Sequence, residues 1–239
     1  MDRSVTIALD AMGGDRAPDV VIEGADVARV RHPALRFLLF GDESRLKRLL
    51  RQFPKLAQIT ELRPSEGVVG ADDRPSAALR QGRCTSMRMA IDAVGAGEAV
   101  GVVSAGNTGA LMAMAKTVLK TLPGIHRPAI ASIFPTRRGE TVVLDLGANV
   151  ECTADNLTQF AVMGEVFART VLGVVKPTVG LLNIGIEEIK GNETVRSAAK
   201  QLQQGHLPIE FYGFIEGDDI TAGTVDVVVT DGFTGNVAL

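Results

Sequence analysis

Apolar residues in this 239-residue chain fall into short unbroken runs, separated by stretches in which they recur every three or four positions. VTIALD (5–10), RFLLFG (36–41), AVGVVS (99–104), TVVLDLG (141–147), TVGLLNIG (178–185) and VDVVVTDG (225–232) are continuous rather than alternating, the pattern of strands covered on both faces. Residues 19–31, 44–52, 76–94, 109–121, 156–172 and 192–204 carry the helical period between them. Such strand–helix alternation predicts an α/β fold with a doubly wound, mostly parallel sheet. In AIASIFPTRRGETVVLDLG two strand-like runs flank residues 136–139, which predicts an antiparallel hairpin. With no low-complexity linker and no clear boundary, residues 1–239 read as one domain. The chain stops at VAL, where a further helix is expected, and so reads as a piece of a longer protein.

One short pattern occurs twice. Residues 102–109 spell VVSAGNTG and residues 228–235 spell VVTDGFTG, each an apolar run broken by glycines and hydroxyls. Five apolar runs end in loops of small or polar residues: DAMGGD (10–15), SAGNTG (104–109), DLGANVE (145–151), NIGIEEIKGN (183–192) and TDGFTGN (230–236). In a parallel sheet such loops share the carboxyl edge, where open α/β proteins bind ligands. Glycine lets successive backbone N–H groups approach one anion, and a following helix N-terminus adds partial positive charge. For any one loop, glycines and caps are equally what the fold itself needs. Five loops at one edge point to a site for an anion together with an acyl or carbonyl group.

Composition narrows the partners. A net charge of −3 gives no global basic field, so an acidic partner must meet a local patch. Aromatic residues make up 4% and Trp is absent, which speaks against base stacking and a nucleic-acid partner. Cys84 and Cys152 lack zinc or disulfide spacing, MDRSVTIALD is no signal sequence, and no apolar run approaches the roughly 20 residues of a spanning helix. A cytoplasmic setting is expected. DAMGGDRAP is neither a dinucleotide nor a P-loop fingerprint, and no G-x-S-x-G elbow is present, so no cofactor and no metal are expected.

IALDAMGGDRAP, SMRMAIDAV, VVSAGNTGALMA, LDLGANVEC, LLNIGIEEIKGN, FIEGDDI and VVVTDGFTGNVAL, in this order, resemble the bacterial acyl-ACP:phosphate acyltransferases. The resemblance runs over essentially the whole chain. It implies a three-layer α/β/α fold similar to the phosphotransacetylases and the isocitrate and isopropylmalate dehydrogenases. The implied reaction moves a fatty acyl group from acyl carrier protein to inorganic phosphate; the alternatives are a phosphotransacetylase-like transfer from acyl-CoA and a non-catalytic phosphate- or acyl-binding protein. The acyl phosphate would then pass to a glycerol-3-phosphate acyltransferase for phosphatidic acid synthesis. The family continues past TDGFTGNVAL into helices associated with homodimer contact and peripheral membrane docking. Where many relatives carry an acid before Glu187 and Glu188, this chain has Ile186.

On this resemblance phosphate, already a nucleophilic anion, needs positioning more than deprotonation. Gly13, Gly14, Ser104, Asn107, Thr108 and Gly109 are assigned to it. Asn149, Thr234 and Asn236 are candidate donors to the thioester oxyanion, a role worth about 3 kcal/mol per donor. Lys190, with Asn192 beside it, offsets phosphate charge or assists the departing thiolate. Asp10, Asp15, Asp145 and Asp231 orient donors or contact the pantetheine arm, or serve as caps and turn residues. Cys152 lies near these loops, but His32, His126 and His206 lie outside them, so nothing in the sequence activates its thiol, and direct transfer is expected. Arg80, Arg83 and Arg88, near Arg74, form a candidate dock for the acidic carrier protein. The second basic stretch, residues 45–55, reads as a solvated helix face. Met112 and Met114 line an apolar groove or belong to the core.

Overall fold

The computed structural model describes residues 4–205 and 207–239. The chain groups into two compact units, Met1–Lys120 and Thr121–Leu239. The runs read as one sheet are divided between two, one in each unit.

In the first unit β1 (Val5–Asp10), β2 (Leu35–Gly41), β3 (Thr60–Pro64) and β4 (Gly101–Val103) are all parallel, in the order β3-β2-β1-β4. Helices α1 (Asp19–Arg31), α2 (Glu43–Leu50), α3 (Pro54–Ala57), α4 (Pro75–Gln81), α5 (Ser86–Gly95) and α6 (Thr108–Val118) connect and follow them. The strands look uniformly apolar because both faces are covered. Leu9, Phe37 and Leu39 pack with Ile22, Leu46 and Leu56 of α1, α2 and α3, whereas Ala8, Leu38 and Phe40 pack with Ala90 and Ala93 of α5. Each fully buried Leu or Phe contributes about 1.5–3 kcal/mol relative to exposure. The polar strand β3 sits at the sheet edge and escaped the pattern of apolar runs.

The helix expected over 76–94 is broken at Gly82. A side chain there would meet the Ala78 carbonyl and the Met114 methyl of α6, so only glycine closes α4. Thr85 then caps α5 by accepting the Arg88 N–H. Met114 is fully buried among Val69, Ala78, Met87, Ile91 and Ala110 and belongs to the core.

The second unit holds β5 (Ala131–Thr136), β6 (Gly139–Leu144), β7 (Thr178–Leu182), β8 (Glu210–Ile215) and β9 (Val227–Val229) in the order β5-β6-β9-β7-β8. Only the β5–β6 hairpin is antiparallel, as the sequence predicts. Its helices are α7 (Ala154–Phe167), which continues as a π-helical turn to Leu172, α8 (Glu193–Gln204), α9 (Gly217–Ala222) and α10 (Gly232–Ala238). Val142, Leu144, Val227 and Val229 pack with Leu157 and Phe160 of α7 and Ala198 of α8. The alternate residues Val143 and Val228 pack with Ile220 of α9. Among the described residues no helix is long and apolar enough to cross a membrane.

Candidate active site

Because β1 and β4 are adjacent and parallel, the loops at 10–15 and 104–109 leave the same edge of the first sheet. They border a cavity of about 540 Å³, whose walls include Gly14, Asp15, Gly70, Asn107, Thr108 and Gly109. Behind the loops lies Asp10, buried to 1% exposure. Ser86 Oγ donates to its Oδ1 at 2.6 Å and Ser104 Oγ donates to its Oδ2 at 2.7 Å. Ser104 Oγ in turn accepts the Gly106 N–H at 3.1 Å. Gly13 packs directly on this trio: a Cβ there would overlap Asp10 Oδ2 and stand 3.0 Å from Ser104 Oγ.

Of the residues assigned to phosphate, Gly14, Asn107, Thr108 and Gly109 therefore face the cavity together with Asp15, while Gly13 and Ser104 pack on Asp10. Asn107 is engaged at both ends of its amide. Its Oδ1 caps α6 by accepting the Ala110 N–H at 2.9 Å, and its Nδ2 donates to the carbonyls of Gly70, Ala71 and Asp73. The first N–H groups of α6, at Thr108 and Gly109, have no acceptor within the helix and remain for a ligand.

In the second sheet β6, β9 and β7 are parallel neighbours, so the loops after them also share an edge. Asp145, with no exposed surface, accepts the N–H groups of Ile130, Ala148 and Asn149 and the Asn149 amide. Asn149, exposed by 1%, gives its other amide hydrogen to the Pro128 carbonyl at 2.8 Å. With both hydrogens engaged, it has only Oδ1 left, and that atom accepts from Arg127 Nη1 at 3.4 Å.

The start of α10 presses onto this turn. Gly232 N–H donates to the Asn149 carbonyl at 2.7 Å, and a Cβ at Gly235 would overlap the Asp145 carbonyl oxygen. Asp231 caps α10, accepting both the backbone N–H and the hydroxyl of Thr234. A cleft of 510 Å³ is bordered by Glu151, Cys152, Asn192, Asp231, Phe233 and Thr234. Asn192 caps α8 through Oδ1, which leaves its NH2 group for other contacts. Lys190 and Asn236 are exposed and outside the lining, Asn236 beside Gly147.

The Cys152 thiol is pushed up to about 11, first by burial, then by the nearby carboxylates of Asp145 and Asp231; the Gly232 N–H and the Arg127 charge act the other way. At neutral pH it is a thiol, and its Sγ reaches the Asn149 carbonyl at 3.5 Å. His126 pairs with Gln159 of α7 and His32 is exposed; His206 lies outside the described residues. Of the carrier-dock arginines, Arg80 and Arg83 are exposed, while Arg88 is tied to Asp92 at 2.8 Å. Lys47 pairs with Glu43 on the solvated face of α2.

Sequence reasoning missed Ser86 and Arg127. Ser86 stands at the first position of α5, where a cap-region serine is unremarkable. The only sequence signal for Arg127 is its position in residues 121–136, which contain no Asp or Glu.

The family described as fatty acid synthesis protein matches residues 5–239. The chain is 64% identical over 239 residues to the phosphate acyltransferase of Rhodospirillum centenum, covering all of this chain and 67% of that relative. It is 59% identical to the phosphate acyltransferase of Paramagnetospirillum magneticum, again over the whole chain and 68% of the relative. Among solved structures, the EutD phosphotransacetylase from Staphylococcus aureus has a TM-score of 0.68 at 19% identity, covering 99% of this chain and 80% of that one. A branched-chain phosphotransacylase from Enterococcus faecalis V583 has a TM-score of 0.59 at 14% identity, covering 98% and 82%. These last two are likenesses of fold. Matched over nearly its full length and at such identity, the chain belongs to the fatty acid synthesis protein family.

Proposed function

We propose that this chain is a phosphate acyltransferase that moves a fatty acyl group from a thioester to inorganic phosphate. What carries this reading is the 64% identity to a phosphate acyltransferase over all 239 residues, a span that includes both groups of sheet-edge loops. The site chemistry agrees with it. In the first unit, the free N–H groups of Thr108 and Gly109 and the positive-φ backbone at Gly14 (φ 104°), open only to glycine, suit phosphate held by neutral donors. Such donors leave its oxygens nucleophilic. In the second unit, the Asn192 amide and the exposed side chains of Lys190 and Asn236 are assigned to the thioester and its departing thiolate. Asp145, Asn149, Asp231 and Thr234 hold those loops in place, since their own hydrogen bonds are engaged.

A phosphate oxygen attacks the thioester carbonyl carbon, the C–S bond breaks, and the sulfur leaves as a thiolate that takes a proton from solvent. Acyl phosphate and free thiol are the products. Cys152 is no intermediate nucleophile on this route, because its thiol stays protonated at neutral pH.

On the same reading the donor is acyl carrier protein, met by Arg80 and Arg83 on the exposed surface of α4 and the turn after it. The acyl phosphate passes to a glycerol-3-phosphate acyltransferase. The protein acts in the cytoplasm as a homodimer with peripheral contact at the membrane. The test is phosphate-dependent release of carrier thiol from acyl carrier protein, with acyl-CoA as the competing donor. Faster turnover with acyl-CoA would replace the donor, and no thiol release with either would end the proposal.

A further inference from the structure

Resting on the acyl-transfer reading above, we infer that Arg127 binds a phosphate group of one of the two substrates. Arg127 is held by one buried residue from two sides: Asn149 donates to the Pro128 carbonyl next to it and accepts from its Nη1. Asn149 is itself fixed by Asp145, which no solvent reaches. One hydrogen bond of 3.4 Å ties its guanidinium to this buried tier at the edge of the second sheet. Yet no carboxylate lies within ion-pairing distance of it among the described residues. Other arginines, Arg80 and Arg83 among them, also lack such a partner, but among the described residues Arg127 is the one whose guanidinium donates to a fully buried side chain. Anchoring is thus provided without neutralisation, leaving most of a planar five-donor fork exposed next to Asn149.

A guanidinium presented in this way matches the paired oxygens of a phosphate better than it matches a carbonyl. Two sources share that chemistry: the phosphodiester of a pantetheine arm on the donor, which agrees with phosphate held by neutral donors in the first unit, and the inorganic phosphate acceptor, which would reassign phosphate binding to the second. The geometry also gives Asn149 a different task from oxyanion donation. Its hydrogens are engaged, and it aims the arginine.

The test titrates inorganic phosphate and, separately, 4′-phosphopantetheine into the chain by calorimetry, for the wild type, Arg127→Gln and Arg127→Lys. Thermal melting checks that each variant is folded. For one of the two probes, Arg127→Gln is expected to weaken binding at least tenfold and Arg127→Lys about threefold, and the affected probe identifies the source. In turnover, KM for that substrate rises by the same factor while kcat changes less than threefold. If Arg127→Gln fails to fold, the Arg127→Lys loss decides. Unchanged binding of both probes in the folded variants overturns the inference, as does a wild type that binds neither or a loss confined to kcat. A wild type that binds phosphate through Arg127 but releases no thiol would instead sink the acyl-transfer reading and leave this one standing.

Discussion

The two copies of the repeated pattern, VVSAGNTG and VVTDGFTG, end equivalent strands but start their helices in different frames. In the first, Asn107 is the cap and α6 begins at Thr108; in the second, Asp231 is the cap and α10 begins two pattern positions earlier, at Gly232. The neighbouring strand ends in a buried aspartate in both units, Asp10 and Asp145, but each is satisfied differently. Two serine hydroxyls hold Asp10, whereas three backbone N–H groups and one amide hold Asp145. The glycines also differ in purpose. Gly13 makes room for a side-chain trio, and Gly232 and Gly235 make room for backbone against backbone. Similar letters here mark the same place in the fold, not the same interactions.

The largest expected effect comes from Gly235→Ala. Its Cβ would overlap a carbonyl oxygen with no flexible side chain to give way, so unfolding in urea is expected to show a loss of about 3 kcal/mol. Gly109→Ala, which meets only the Pro75 ring at 2.9 Å, is expected to cost clearly less; equal losses would erase the contrast in glycine use. Next comes Asp10→Ala, which strands the hydroxyls of Ser86 and Ser104, at about 2 kcal/mol by the same measurement.

Exchanging the caps sharpens the comparison further. Asn107→Asp keeps the helix cap but turns a carboxylate oxygen toward three carbonyls, and is expected to cost about 1–2 kcal/mol. Asp231→Asn keeps one acceptor for the Thr234 N–H and is expected to cost no more than about 1 kcal/mol. A larger loss for Asp231→Asn would reverse the ranking.

The smallest effect belongs to Cys152. Turnover by Cys152→Ser is expected to stay within about twofold of wild type, and near-complete loss would reinstate an acyl-enzyme. The thiol ionises near 9.0 when unfolded and at about 11 when folded, so its contribution to stability is intact below pH 9 and lost as pH rises through 11. Unfolding midpoints of wild type and Cys152→Ala should therefore converge or cross between pH 9 and 11. Parallel curves would contradict the raised value.

Much of this was legible in the chain. Unbroken runs such as VTIALD named β1, the Thr136–Gly139 turn named the hairpin, and parallel topology placed the glycine loops at sheet edges within each unit. Local pattern suffices there, because burial on two faces leaves a readable apolar run. The edge strand β3 and the break at Gly82 were not legible, since one depends on solvent exposure and the other on the distant Met114.

The candidate site divides the same way. Which residues stand on the loops followed from the sequence, but which of their atoms remain free did not. Ser104 and Asn149 both read as donors, yet each has hydrogens directed at partners that only folding brings near, Asp10 and the Pro128 carbonyl. Arg127 and Ser86 gained their meaning through Asn149 and Asp10, 22 and 76 residues away. Composition and spacing determine what a chain can offer; hydrogen-bond satisfaction across long separations decides what it has left to give a ligand.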